Sequence, residues 1–154
     1  MGHALTGALI VFEKNTILDE YIRTGIDVDA VISRQLLLNI FEHNTPLHDG
    51  AVIVRNNRVA SATCYLPLSD NMEISKDLGT RHRAALGMSE ISDSLTVVVS
   101  EETGHISVAQ NGILQINITG AELKEKLMDF LEDENAKKDK KKLKRRAKDE
   151  ETNE

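Results

Sequence analysis

The stretch AVIVRNNRVASATCYL, Ala51 to Leu66, constrains the fold most tightly. Two apolar or β-branched runs, Ala51–Arg55 and Val59–Leu66, are joined through Asn56-Asn57, residues that tolerate the left-handed geometry of a tight hairpin turn. A hairpin needs further strands and a covered face to be stable, and the chain supplies both. ALIVFE, Ala8 to Glu13, reads as a buried strand, and KNTILDEYIRTG is a polar continuation that stops at Gly25. A meander follows later: Leu95–Ser100, the turn EETG, His105–Gln110, the turn signal Asn111-Gly112, and Ile113–Ile118. Three segments read as helices. DVDAVISRQLLLNIFEHN, Asp27 to Asn44, sets Val31, Ile32, Leu36, Ile40 and His43 at helical offsets and ends before Pro46. TRHRAALGMSEIS opens at Thr80 as N-cap and runs to about Ser89, and AELKEKLMDFLEDE after Gly120 is amphipathic. Ser69–Gly79 reads as a loop with one short helical turn. The expected class is α/β in the α+β sense, a central mixed, largely antiparallel sheet flanked by helices.

At 154 residues and 40% hydrophobic content there is enough chain for one core. The expected division is an N-terminal remnant at 1–5, a folded domain at 6–134 and a charged tail at 135–154. MGHALT also satisfies a myristoylation pattern, which a cloning remnant joined to a domain boundary explains equally well. The body to Glu134 is acidic, with 10 Lys+Arg against 20 Asp+Glu, whereas the tail carries 9 against 5. With Leu143 as its one large apolar residue, the tail is expected to fray in solvent; its other reading is a contact with an anionic membrane or nucleic acid. The single cysteine, Cys64, fits a buried structural thiol in a reducing compartment. No apolar run reaches membrane-span length, so a soluble protein is expected.

Three motifs carry possible chemistry. In NTPLHDGA the Asp49-Gly50 pair has two readings, a plain turn or a rim carboxylate where a helix-to-strand connection enters the sheet. His48 beside it makes a hard-metal or general-base pair if a bend at Gly50 brings the two side chains together. GTRHR, Gly79 to Arg83, gathers two guanidiniums, an imidazole and a hydroxyl at a helix start, where free N–H groups favour phosphate; the competing reading is an arginine pair that satisfies nearby carbonyls and carboxylates. SEETG, Ser100 to Gly104, is either a polar hairpin tip or a third contributor to the same rim. No Walker loop, dinucleotide fingerprint, metal-spaced cysteine set or nucleophile elbow is present.

HDGA, then GTRHRAALG some thirty residues later, then VVVSEETGHISVAQNG, resembles the diadenylate cyclase (DAC) domain, closest to its membrane-associated CdaA type, over about Thr6 to Leu131. The resemblance implies the DAC-domain fold and condensation of two ATP into cyclic di-AMP with release of two pyrophosphates, assisted by Mn²⁺, Mg²⁺ or Co²⁺. Carried over by position, it implies Asp49 as metal holder and activator of the 3′-hydroxyl, His48 and Glu102 as further metal contacts, and Asp49, Arg81 and His82 as the catalytic set. Gly50 and Ala51 are expected to line the nucleotide pocket and Tyr65 and Leu66 to approach adenine. Gly79, Thr80, Arg81, His82 and Arg83 are expected to hold phosphate oxygens, with Ser100 and Glu102 completing the site; Glu101 is a weaker candidate. Because the product is two-fold symmetric, a face-to-face homodimer is expected, with a higher oligomer open. The resemblance also implies a parent protein at the membrane with this domain facing the cytoplasm, a membrane regulator and a phosphoglucosamine mutase as partners, and no nucleic acid. Two rival readings of the residues are a non-catalytic nucleotide sensor and an interaction module that uses the basic tail.

Overall fold

The computed structural model describes residues 6–152, so the expected remnant at 1–5 lies outside the described residues. The chain divides into two units, 1–119 and 120–154. The first contains β1 (Ala8–Phe12), α1 (Asp19–Ile22), β2 (Ile26–Val31), α2 (Arg34–Ile40), β3 (Ala51–Arg55), β4 (Arg58–Cys64), α3 (Thr80–Ile91), β5 (Leu95–Val99), β6 (Ile106–Gln110) and β7 (Ile113–Ile118). Its strands form one sheet in the order β2-β4-β3-β1-β5-β6-β7. Only the β1–β3 pair is parallel, as the long crossover between them requires; the other pairs are antiparallel. The mixed, largely antiparallel sheet is thus the one expected.

Both tight turns follow from their residues. Asn56 and Asn57 have φ of 50° and 61°, and Asn111 and Gly112 have 54° and 74°, the paired positive φ of the hairpin turns that match strand twist. Alternation then sorts the central strands onto two cores. Leu9, Val11, Ala51, Ile53 and Val98 face one side and pack with Ala84, Ala85 and Met88 of α3 and with Tyr21 and Ile22 of α1. Ala8, Val52 and Val54 face the other and pack with Ile40 and Phe41 at the end of α2. Each large side chain fully buried here, such as Ile53, Met88 or Leu95, contributes about 1.5–3 kcal/mol.

The expected helix over 27–44 is corrected. Its first part is edge strand β2, paired with β4 through Ile26↔Ala62 and Asp27↔Ser61. The helix starts only after Ser33, whose extended backbone and hydroxyl, accepting from Leu36 N–H at 3.1 Å, form the N-cap. Thr80 is likewise the first helical residue of α3 and not its cap; Gly79 occupies that place without a side-chain cap bond.

Small residues let α3 lie close to its neighbours. A Cβ on Gly87 would stand 2.0 Å from the Pro67 carbonyl oxygen, so the segment from Leu66 to Ser69 runs in backbone contact with the helix. Ser69 N–H donates to the Arg83 carbonyl at 3.0 Å and fastens that strap.

The second unit is α4 (Gly120–Thr152). The boundary expected at 134/135 is not a break in secondary structure, and the run expected to fray is helical. Lys, Arg, Glu and Ala are good helix formers, and no Pro or Gly interrupts them after Gly120. The described side chains from Lys138 to Thr152 are exposed.

Candidate active site

A cleft of about 1050 Å³ opens in the first unit. Its wall is built from the loop ending at Gly50, the segment leaving β4 at Tyr65 and Leu66, the first turn of α3, and the tip after β5. Twelve residues singled out in the sequence line it: His48, Asp49, Gly50, Tyr65, Leu66, Gly79, Thr80, Arg81, His82, Ser100, Glu101 and Glu102. Two do not. Ala51 is the first residue of β3, wholly buried in the core with its side chain packed on the sheet face. Arg83 lies outside the wall, where its carbonyl receives the Ser69 strap.

One end of the cleft is set by His48 and Asp49. Neither belongs to a strand, so the strict alternation that would separate them does not apply. Gly50, at φ 81°, turns the chain into β3 at a point where a Cβ would stand 2.9 Å from the Cys64 carbonyl. His48 Nδ1 lies 2.6 Å from the Thr45 carbonyl oxygen. A carbonyl only accepts, so Nδ1 carries a proton and Nε2 is the ring nitrogen left for another partner. That Nε2 faces Asp49 Oδ1 at 3.3 Å. Imidazole nitrogen and carboxylate oxygen aimed at each other call for a cation or a proton between them. Among the described residues no three His, Cys, Asp or Glu gather into one ligand set, so Glu102 lines the cleft without joining the pair. Two protein donors still fit a small divalent ion, which commonly completes its shell with substrate phosphates and water.

The other end is the start of α3, a 12-residue helix whose first N–H groups have no partner within the helix. His82 is buried, at 8% exposure. Burial, reinforced by the neighbouring Arg81 guanidinium, holds its imidazole below the usual range and therefore neutral at physiological pH. Arg81 Nη1 stands 3.5 Å from Glu101 Oε2. The Ser100 hydroxyl accepts from the N–H groups of Glu102 and Thr103, both at 3.3 Å, and shapes the tip that carries these acids.

Two irregular strands complete the wall. In β4, Ala51 pairs with Cys64 and Ile53 with Ser61, so two residues oppose Val52, and Thr63 takes φ 57°, a conformation costly for a β-branched side chain. The bulge re-aims the chain so that Tyr65 leaves the sheet at the cleft, 76% exposed. Its N–H donates to the Thr24 hydroxyl at 2.8 Å. In β7, Ile116 and Asn117 together oppose Ser107, Asn117 has φ 56°, and all three reach the cleft. These residues were missed because no local pattern marks a bulge. Lys76 was missed too, although it is the single cation between Arg58 and Arg81 and the loop around it is acidic. Cys64 also reaches the wall, and burial pushes its thiol up, which keeps it protonated.

A family model described as DisA bacterial checkpoint controller nucleotide-binding, the DAC domain, matches residues 1–114. The chain is 60% identical over 127 residues to the cyclic di-AMP synthase CdaA of Bacillus subtilis, covering 82% of the chain and 46% of that protein. It is 57% identical over 138 residues to a diadenylate cyclase of Listeria monocytogenes, covering 90% and 50% respectively. The chain therefore spans about half the length of the curated relatives it matches. A crystal structure of DacA from Staphylococcus aureus, in a double-mutant form, aligns with a TM-score of 0.80 at 55% identity over 81% of this chain and 83% of that one. A Bacillus cereus structure titled a hypothetical membrane spanning protein aligns with 0.71 at 52% identity, over 74% and 56%. With more than half its length matched by the family model, the chain belongs to the DAC family.

Proposed function

We propose that this chain condenses two ATP into cyclic di-AMP and two pyrophosphates. The observation that carries the proposal is one cleft lined both by the Asp49 carboxylate and by the start of α3 with Arg81. In each transfer the 3′-oxygen of one ATP bonds to the α-phosphorus of the second. The bond from that phosphorus to the bridging oxygen breaks, and pyrophosphate leaves with the electron pair. The 3′-proton passes to the side of Asp49. Thr80, Arg81 and the N–H groups of α3 hold phosphate oxygens and offset the growing charge. Neutral His82 donates or accepts a hydrogen bond there without adding charge. Tyr65 and Leu66 offer the face on which adenine stacks.

Mn²⁺, with Mg²⁺ or Co²⁺ as substitutes, supplies charge neutralisation at the phosphates when bound. His48 Nε2, Asp49 and Glu102 would hold it. Each cleft presents one such pair of ends, and the ring product is two-fold symmetric, so two protomers acting face to face is the arrangement that completes both transfers. We assign the parent protein to the membrane with this domain on the cytoplasmic side. The similarity to a Bacillus cereus protein described as membrane spanning supports that assignment; among the described residues, no helix is long and apolar enough to cross a bilayer. A membrane regulator and a phosphoglucosamine mutase are the partners proposed with it.

The test is incubation with ATP and each of Mn²⁺, Mg²⁺ and Co²⁺ over a range of protein concentrations, with mass analysis of the product. Cyclic di-AMP and pyrophosphate should form in a one-to-two ratio, and turnover per protomer should rise with protein concentration. ATP bound without product under every condition overturns the cyclase reading in favour of a sensor.

A further inference from the structure

Gly7, immediately before β1, is buried and plays no part in the chemistry proposed above. A Cβ built on it would lie 2.8 Å from both Cζ and Nη1 of Arg81 and 3.1 Å from the Glu101 Cβ. The guanidinium thus rests over bare backbone in the space that any other side chain would fill. The Glu101 carboxylate stands 3.5 Å from Nη1. Three segments distant in sequence meet at this one point.

We infer that Gly7 and Glu101 form a seat that aims the Arg81 fork into the cleft, and that both are positioning residues for this arginine. The inference rests on the cyclase reading for what Arg81 does, but the geometry of the seat does not depend on it. The Glu101 side chain is half exposed, at 50%. An ion pair with such a partner adds little to stability, so its consequence is directional. An arginine delivers paired N–H groups to phosphate only when its plane is set correctly, and the gap over Gly7 together with the carboxylate sets that plane. A methyl at Gly7 meets the far end of a flexible side chain, and the guanidinium yields before the backbone does.

The two halves of the seat predict different effects on ATP affinity. Gly7→Ala displaces the fork and should weaken ATP binding about tenfold, with the rate of cyclic di-AMP formation falling by at least as much. Glu101→Gln removes a negative charge beside the phosphates. Affinity should stay the same or tighten while kcat falls, with the Mn²⁺ requirement unchanged.

The experiment measures ATP affinity, kcat, KM and the thermal midpoint for both variants in the wild-type and Arg81→Ala backgrounds. If the seat acts through Arg81, Gly7→Ala changes neither affinity nor rate in the Arg81→Ala background, Glu101→Gln lowers kcat only where Arg81 is present, and neither moves the thermal midpoint of the otherwise wild-type chain by more than about 3 °C. Equal losses in both backgrounds, or a Gly7→Ala protein that binds ATP like wild type, overturn the seat. A raised Mn²⁺ requirement in Glu101→Gln overturns the Glu101 half by making that carboxylate a metal contact. Wild-type protein that makes no cyclic di-AMP sinks the cyclase reading instead, and the seat is then judged on ATP affinity alone.

Discussion

The two ends of the cleft are built in different ways. The phosphate end belongs to α3, whose body is packed into the sheet through Ala84, Ala85 and Met88 and whose first turn carries a buried His82. The carboxylate end belongs to a connection without regular structure, where the Asp49 side chain is 85% exposed and is oriented by one histidine and one glycine. In the proposed reaction, phosphate binding is thereby tied to the core and proton acceptance to a turn. Damage to the packed body of α3 should cost stability, loss of Arg81 should cost ATP capture, and loss of the Asp49 carboxylate should cost turnover alone.

The largest effect expected on ATP capture is on the helix side. Arg81→Ala should lower kcat/KM for ATP by a factor on the order of 10²–10³, measured by steady-state product formation, with little change in melting. Beneath that residue, Met88→Ala opens a cavity in the core against which α3 packs. It should cost about 2–5 kcal/mol in urea unfolding, while Asp49→Ala stays within about 0.5 kcal/mol of wild type. An equal loss in the two variants would erase the distinction between the ends.

Gly50→Ala should lie between these extremes, with about 1–3 kcal/mol lost because its φ of 81° and the nearby Cys64 carbonyl leave no room for a methyl. Thr63→Gly relieves a left-handed β-branched residue. After the entropy a glycine loses on folding, it should raise stability by about 1 kcal/mol, read by the same urea titration. The smallest effect is a slope. The unfolded imidazole of His82 titrates near 6.5 and the folded one lower. Above that pH both states are neutral and the residue adds no pH dependence. As pH falls below it, the unfolded chain takes up a proton that folded His82 refuses, and stability drops until the lowered folded value is reached. Urea midpoints followed from about pH 8 to about pH 5 should show this acid-side loss, and His82→Gln should flatten it.

What could be read ahead of the structure followed the same division. The turns at Asn56-Asn57 and Asn111-Gly112, the strands beside them and the α3 start are local chemistry, and local chemistry is written in adjacent residues. The DAC motifs marked the cleft because Asp49, Arg81 and Glu102 sit in short runs of unusual composition. Edge strand β2 was hidden inside a helical spacing because Val28, Ala30, Ile32 and Leu36 fit both periods, and the cap at Ser33 decides between them. The bulges at Thr63 and Asn117 arise from pairing register between strands, which no single segment encodes. Ala51 belongs to the DGA motif that carries the resemblance, but the turn at Gly50 sends its side chain into the core.

The most direct test of the account is ATP affinity measured beside cyclic di-AMP formation for Asp49→Asn. The substitution keeps the shape of the side chain and removes its capacity to accept a proton. The account predicts ATP binding within about threefold of wild type, since each 1.4 kcal/mol would be tenfold, with cyclic di-AMP formation abolished. Retained turnover, or ATP binding lost along with it, would contradict the division of the cleft into a binding end and a proton-accepting end.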